Sequence, residues 1–322
     1  MLGGNLTQTV CAKIRELLDC AVQSNIADCV LLSGGLDTSV VTALASKRRK
    51  FTGLTVSLNN APDTRFASLV ADKFQLRHLI VETDEANAES AACEVVKVMR
   101  SFDPMEIRND ATILIALSAA KDAGFNAVTT GDAGDELFAG YSFFFDKSPK
   151  DLQDSLSRMW RIMQFSSTLI ARSLGMEARL PFLDEKFKQL AMSIPAYLKV
   201  HEEKGRVCGK WILRKAFEEE LPPEIVWRMK MPIEQGSGTA SLPAYFERKI
   251  SDGEYTAKKE EYWSLDGVRL MSKEHLAYYE VYQKAFGPPR NIGIGTKACD
   301  GCGALLRDEV NYCRTCGAYP SS

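Results

Sequence analysis

The stretch Ser33-Gly34-Gly35-Leu36-Asp37-Thr38-Ser39 joins a continuous apolar run, Cys29-Val30-Leu31-Leu32, to a helix-period segment from Ser39 to Ala45. Two glycines let the backbone turn tightly and present its N–H groups to an anion, and the start of a helix adds partial positive charge. Hydroxyls at Ser33, Thr38 and Ser39 can donate to phosphate oxygens. The carboxylate of Asp37 would repel a bare phosphate, so it belongs there only as a holder of Mg²⁺. The G-K-[ST] of a Walker loop is absent. Taken alone, the heptapeptide also fits an ordinary strand–turn–helix junction capped by an aspartate.

Outward from this loop, short apolar runs alternate with helical spacing. Val10, Ile14, Leu17, Leu18, Ala21 and Val22 follow a helix period, with Thr7 or Thr9 as its N-cap. Phe51 to Ser57 reads as strand, Asp63 to Phe74 as helix and His78 to Val81 as strand. Ala111 to Ala123 is a helix ended by Gly124, and Ala127 to Thr130 is a strand. The basic run Lys47 to Lys50 is read as a solvated helix C-terminus. This alternation predicts an α/β fold, a parallel sheet with helices on both faces, over residues 1–148. From 149 to 287 the segments are mainly helical: Leu156 to Leu174, Lys186 to Met192, Lys210 to Glu220 and Lys273 to Ala285. Pro288-Pro289 and the Gly-rich residues after them predict a linker over 288–298, leaving 299–322 as a separate tail.

A second polar cluster follows the strand at Ala127 to Thr130: Gly131-Asp132-Ala133-Gly134-Asp135-Glu136-Leu137-Phe138-Ala139-Gly140-Tyr141. Loops at the carboxyl ends of neighbouring parallel strands converge on one crevice. Three carboxylates in a glycine-rich loop beside a phosphate cradle make the second half of a Mg²⁺–nucleotide site. By itself the loop also fits a helix N-terminus with an acidic first turn.

Composition narrows the class. The chain has 322 residues, 45% hydrophobic and 25% charged, with a formal charge of −2. A disordered or fibrous chain is excluded, and nucleic acid is not an expected partner without a basic excess. No apolar run reaches the ~20 residues that cross a bilayer, and no secretion signal opens the sequence, so no membrane role and a cytoplasmic location are expected. Five of the nine cysteines (Cys11, Cys20, Cys29, Cys93, Cys208) are scattered among predicted helices and strands. The other four form C-x2-C, ten residues, C-x2-C: Cys299, Cys302, Cys313 and Cys316. That spacing, with Gly301 and Gly317 at the turns, predicts a ribbon with one structural Zn²⁺ held by four thiolates, two disulfides or bare thiols being the alternatives. Such a tail would fold by metal binding as an independent knob. The histidines His78, His201 and His275 show no metal spacing.

The two loops together resemble the asparagine synthetase family, ATP pyrophosphatases of the PP-loop (adenine nucleotide alpha hydrolase-like) kind with an S-G-G-x-D-[ST] loop. The likeness continues in order through Asn59-Asn60-Ala61-Pro62-Asp63, Arg77-His78-Leu79 and Ile107-Arg108. It runs on through Gly175-Met176-Glu177-Ala178-Arg179-Leu180-Pro181-Phe182-Leu183-Asp184, Lys210-Trp211-Ile212-Leu213-Arg214, Leu221-Pro222 and Trp227-Arg228-Met229-Lys230. The resemblance implies that Ser33, Gly34, Gly35, Thr38, Ser39 and Gly131 cradle the pyrophosphate of ATP and that Asp37 and Asp135 hold Mg²⁺. It implies catalytic roles for Lys230, Asp132, Glu136 and Glu177, with Glu177 paired to the acidic loop. A solvated lysine at 230 and a buried Glu177–Arg179 pair are the bland alternatives.

The implied reaction is amide-bond synthesis through an acyl-adenylate, releasing AMP and pyrophosphate, with aspartate the default carboxylate. Glutamine-dependent members of the family open with Met-Cys and a glutaminase domain. Here Leu2 follows Met1, so ammonia is the expected nitrogen source, free or delivered by a separate glutaminase, with the ribbon a site for that or another protein partner. Asp132 stands where asparagine synthetases carry glutamate, which points to amidation or cyclisation of another carboxylate as one alternative. An RNA-modifying PP-loop enzyme is the other, because several of those carry zinc knuckles.

Overall fold

The computed structural model of the chain describes residues 2–290, 292–308 and 310–320, with side chains from Asn5 onward. Met1, Asn291 of the expected linker, and Glu309, Ser321 and Ser322 of the expected ribbon lie outside the described residues. Two compact units share the chain. The first takes in the chain up to Val56, then Pro62–Val81 and Ser118–Met231; the second takes in Ser57–Ala61, Glu82–Leu117 and the chain from Pro232.

In the first unit, helix α1 (Leu2–Asn25) precedes strand β1 (Cys29–Leu31), α2 (Leu36–Ser46), β2 (Thr52–Leu58), α3 (Asp63–Lys73) and β3 (Arg77–Thr83). Strand β2 is buried at all seven positions. Because successive side chains point to opposite faces, both faces of the sheet are covered there, as the expected α/β class requires. The sheet is completed by β4 (Ala127–Thr129) and β5 (Glu177–Arg179), in the order β3-β2-β1-β4-β5. Val30 lies opposite both Gly53 and Thr129, and Ala127 opposite Glu177, all in parallel register. The chain thus leaves β1 toward β2 on one side, while β4 lies on the other. The carboxyl ends of β1 and β4 flank a topological switch point, where open parallel sheets leave a crevice.

Around this sheet stand α6 (Gly134–Phe138), α7 (Pro149–Ile162), α8 (Ser166–Ser173), α9 (Glu185–Ser193), α10 (Ala196–Lys199), the hairpin β6 (His201–Glu203) and β7 (Arg206–Cys208), α11 (Trp211–Ala216) and α12 (Pro223–Val226). Their core joins Val30, Val40 and Val41 to Leu137, Phe138, Ile212, Leu213 and Phe217. Several expectations change in detail, among them the helix expected from Ala111, which already starts at Pro104, and the one expected to reach Glu220, which ends at Ala216. The helix expected from Leu156 to Leu174 is two helices, because Met163 turns extended (φ −61°, ψ 131°) at the end of α7. The helix expected to begin at Lys210 begins one residue later, since Lys210 is left-handed (φ 56°). Neither Thr7 nor Thr9 caps α1; the helix already runs through both, and the Thr9 hydroxyl bonds back to the Asn5 carbonyl.

The second unit is built on α4 (Glu85–Met99), the first part of α5 (Pro104–Asp122), α13 (Ile233–Ser237), α14 (Leu242–Lys249), α15 (Asp252–Asp266) and α16 (Lys273–Phe286), with a small sheet of β8 (Lys297–Ala298) and β9 (Leu305–Leu306). Asp84, Ser251 and Ser272 cap α4, α15 and α16 through their side-chain oxygens. Phe102 packs its ring within 5.2 Å of His275 and 5.0 Å of both Tyr279 and Tyr282. Arg108 is clamped between Glu234 (2.7 Å) and Glu274 (2.6 Å), so the charges of this buried corner are paired. No helix among the described residues is long and apolar enough to cross a membrane.

One group in the first unit is out of balance. Lys199 is fully buried, its Nζ finds no hydrogen-bond partner among the described residues, and it lies 4.5 Å from the centre of the Trp160 ring. Burial pushes its ammonium down from 10.5 to about 7. The folded state therefore holds fewer protons than the unfolded one between these values, and stability falls as pH drops from about 10.5 to about 7. Lys199→Met, which keeps the stem and removes the amine, is expected to stabilise the protein at pH 7 by about 1–3 kcal/mol. The gain should shrink as pH rises toward 10, measured by denaturant unfolding at both pH values; a destabilised variant at pH 7 contradicts this.

Candidate active site

The loop after β1 is held by contacts that only its own residue types allow. Gly34 is left-handed (φ +66°), and a Cβ there would run into the backbone of Phe66 and Ala67 in α3. The Gly35 N–H donates to Ser33 Oγ (3.2 Å), which lies 3.3 Å from Thr38 Oγ1. Ser33 and Thr38 are half-buried at the mouth of the loop, where α2 begins without a side-chain cap. The first-turn N–H groups of α2 are accordingly left for an anion. Ser39 differs from expectation. It is fully buried, and its hydroxyl donates to the Gly35 carbonyl at 2.7 Å, so it shapes the loop and does not face a phosphate.

The loop after β4 closes against the first through glycines. A Cβ at Gly131 would lie 2.9 Å from Thr38 N, one at Gly134 would enter the Asp37 carboxylate, and one at Gly140 would overlap Asp135 and Lys210. This close approach brings Asp37 and Asp135 around one ammonium. Lys210 Nζ donates to Asp37 Oδ2 at 2.5 Å and lies 2.7 Å from Asp135 Oδ1. Lys230 donates to Asp135 Oδ2 at 2.8 Å and lies 5.8 Å from the centre of the Tyr141 ring. Burial works to raise Asp135, but the two ammonium groups outweigh it and hold its carboxyl below the usual range. In Asp37 burial prevails over Lys210 and pushes the carboxyl up. Lys230 is raised, the Asp135 carboxylate prevailing over burial.

Asp37 Oδ1 is a buried oxygen without a hydrogen bond among the described residues. Two converging carboxylates, one with such an orphaned oxygen, are the hard-oxygen donor set that a small divalent cation takes. The residues present fit Mg²⁺.

Asp132 is brought near but is tied down, accepting from Ser167 Oγ (2.5 Å) and Thr130 Oγ1 (2.9 Å). Burial raises its carboxyl against these two bonds. Glu136 accepts from the Tyr141 hydroxyl (2.5 Å); burial raises the glutamate too, and burial with the neighbouring carboxylate pushes Tyr141 well above its usual range. Glu177 is not part of the cluster. Its register partner is Ala127, at the amino end of β4, and its side chain is 61% exposed and paired with Arg179 at 3.0 Å. The expected pairing with the acidic loop fails because β5 carries Glu177 to the opposite end of the sheet from the loop.

Lys210, Ser167 and Arg228 are the residues that sequence reasoning passes over. The Arg228 guanidinium bonds Asp63 at 2.6 Å and the Ser33 carbonyl at 3.3 Å, and lies 3.8 Å from the centre of the Phe66 ring, bracing the loop from behind. Lys210 and Arg228 both stand inside matched motifs, which was the available signal; nothing local marks Ser167.

In the second unit the four tail cysteines come together, their sulfur atoms all within 4.8 Å of one another and buried. Cys299–Cys316 and Cys302–Cys313 are 3.7 Å apart. Four thiolates at ~2.3 Å from a central zinc in a tetrahedron lie about 3.8 Å from each other, so the residues present fit zinc, whereas a disulfide needs about 2 Å. The knob is not independent of its unit. The Phe102 N–H donates to the Thr315 carbonyl (2.7 Å), Ser101 Oγ to the Arg314 carbonyl (2.7 Å), the Tyr312 hydroxyl to Asp103, and the Arg269 N–H to the Gly301 carbonyl (2.7 Å). Part of the expected linker joins the ribbon, since Gly293 bridges Leu305 and Lys297 pairs with Leu306.

A strand–loop–helix cradle thus faces a second, acidic loop across the switch point. The family model described as asparagine synthase matches residues 13–172 and 168–289, and the chain belongs to that family. It is 29% identical over 315 residues to a probable glutamine-hydrolysing asparagine synthetase of Dictyostelium discoideum, covering 87% of this chain and 56% of that one. With asparagine synthetase B (glutamine-hydrolysing) of Escherichia coli it shares 27% identity over 335 residues, 92% of this chain and 58% of that one. The chain thus spans a little over half the length of these relatives. Among solved structures, an NMN synthetase from Francisella tularensis is a loose likeness, with 14% identity, a TM-score of 0.34 and coverage of 87% of this chain and 94% of that one.

Gly134→Ala would push a methyl group into the Asp37 carboxylate. It is expected to weaken Mg·ATP binding by about tenfold or more while the fold is kept, measured by titration calorimetry with circular dichroism alongside; unchanged binding contradicts the site. Metal analysis of the purified chain should find one zinc, and Cys302→Ser should lose it and lower the melting temperature, because the ribbon is tied to residues 101–103. A metal-free native protein contradicts that assignment.

Proposed function

We propose that the chain is an ATP-dependent amide-bond synthetase that releases AMP and pyrophosphate, making asparagine from aspartate and ammonia. The observation that carries this reading is the acid pair Asp37–Asp135, drawn from two loops onto one crevice beside a glycine-lined anion cradle. A Walker-type site carries a lysine in the first loop to hold the terminal phosphates, and here the lysines stand across from it, on Asp37 and Asp135. Ser33, Gly34, Gly35, Thr38 and Gly131 would hold the two phosphates that leave together. Asp37 and Asp135 would hold Mg²⁺, which supplies charge neutralisation as pyrophosphate departs.

The chain's own part in the chemistry is electrostatic. As the substrate carboxylate attacks the α-phosphorus, negative charge accumulates on the leaving pyrophosphate, and the Lys230 ammonium stands at the edge of the acid pair to meet it. Its side chain is 34% exposed, so it can follow the charge. The resulting acyl-adenylate is then open to ammonia. Glu136 and Tyr141 share a proton-bearing hydrogen bond beside the site and would order the acceptor side.

A second acceptor is favoured by one observation. Asp132 is pulled onto Ser167 and Thr130 and does not reach forward, so the acceptor end of the site differs from that of asparagine synthetases with glutamate there. Another small carboxylate is therefore the competing substrate.

Incubation with α-labelled ATP, ammonia and a panel of acids is expected to yield AMP and pyrophosphate with aspartate. Lys230→Met should cut kcat by about a hundredfold or more while Mg·ATP binding stays within a few-fold. ADP and orthophosphate as the main products would remove the reading; turnover only with a different acid would select the second acceptor.

A further inference from the structure

We infer that Lys210 fills the cation seat when no nucleotide is bound, so that this site takes up a divalent metal only together with a phosphate anion. The inference rests on the reading of Asp37 and Asp135 as the metal-holding pair.

Three features show that the local backbone is built to deliver this ammonium. Lys210 is left-handed (φ 56°), a conformation costly for a residue with a Cβ, and its N–H is fixed to the Phe138 carbonyl at 2.9 Å. Gly140 leaves the space through which its Cε and the Asp135 carboxylate meet, and Gly209 passes against the Ala139 carbonyl with no room for a side chain. The lysine itself is only 4% exposed. Its Nζ stands between the two carboxylates, 2.5 Å from Asp37 and 2.7 Å from Asp135, on the ground a shared divalent ion would occupy.

Charge counting gives the consequence. Two carboxylates face two ammonium groups, Lys210 and Lys230, so the empty site is balanced. A bare divalent ion would leave the buried site two charges positive, and at the close distances involved that repulsion is weakly screened. An accompanying pyrophosphate group reverses the sign, and the displaced ammonium gains an anionic partner. Lys210 differs here from Lys230, which pairs with Asp135 and not with Asp37 among the described ion pairs and is one-third exposed. Lys210 is thus a positioning residue for the acid pair, and it makes metal and nucleotide bind as one.

Mn²⁺ is a direct probe, read by the loss of the free-ion signal in electron paramagnetic resonance. The full-length chain is used with its ribbon metal left in place, since a hard ion prefers the oxygen site to thiolates. Wild type is expected to bind Mn²⁺ about tenfold or more tightly with pyrophosphate than without, after correction for the complex in solution. Lys210→Met and Lys210→Gln should bind nucleotide-free Mn²⁺ about tenfold or more tightly than wild type, and adding Asp37→Asn should erase that gain. Equal wild-type affinity with and without pyrophosphate, or no gain in a folded Lys210 variant, overturns the inference. If neither variant folds, the wild-type comparison decides alone. Should wild type take up Mn²⁺ tightly only with pyrophosphate while no acid supports release of AMP and pyrophosphate from ATP, the coupled uptake stands and the synthetase reading falls.

Discussion

Two carboxylates cannot both stay ionised in a low-dielectric pocket unless something positive stands between them, and in this protein the Lys210 ammonium does so. Much of the first unit is arranged to make that contact. Gly131 and Gly134 let the second loop close on the first, and Gly140 leaves room for Lys210 beside Asp135. The left-handed Lys210 delays the start of α11 by one residue so that its side chain turns inward. Arg228 braces the first loop from the other side through Asp63 and the Ser33 carbonyl. The strand order puts both loops at a point in the sheet where neighbouring connections diverge.

The same arrangement accounts for what was legible in the sequence. The run Cys29 to Leu32 reads as a buried strand because apolar continuity needs cover on both faces. Both site loops could be located because glycine, hydroxyl and carboxylate side chains between a strand and a helix have few other uses. Helix α4 was also there to be read: Ala88, Ala91, Ala92, Val95 and Val96 keep a helix period, although small residues carry a weak apolar signal. Strand β5 was not legible. Its three residues, Glu177, Ala178 and Arg179, carry two charges and become a strand only by pairing with β4. That pairing also decided the fate of Glu177, which motif order placed beside the acidic loop and register carries to the far end. Side-chain orientation was equally hidden at Ser39, whose hydroxyl turns back to its own helix, and at Asp132, captured by Ser167 from a helix that follows 35 residues later.

The ribbon shows the difference between recognising a site and placing it. Cysteine spacing alone predicted the sulfur cluster, because two short knuckles and a connecting hairpin suffice to build a tetrahedron. Nothing in the spacing said that Thr315 and Arg314 would bond the backbone and side chains at Ser101 and Phe102, or that Gly317 would need to be small against Asp103. Zinc in this tail would therefore organise the start of α5 as well as the tail itself.

In the proposed reaction ATP is opened between its α- and β-phosphates by attack of a carboxylate. Exchange of labelled pyrophosphate into ATP measures that step in isolation, before any amide forms. With aspartate present and ammonia withheld, label is expected in ATP, and Asp135→Asn should stop it. Exchange that requires ammonia, or label that never enters ATP with any acid that supports turnover, would contradict the account.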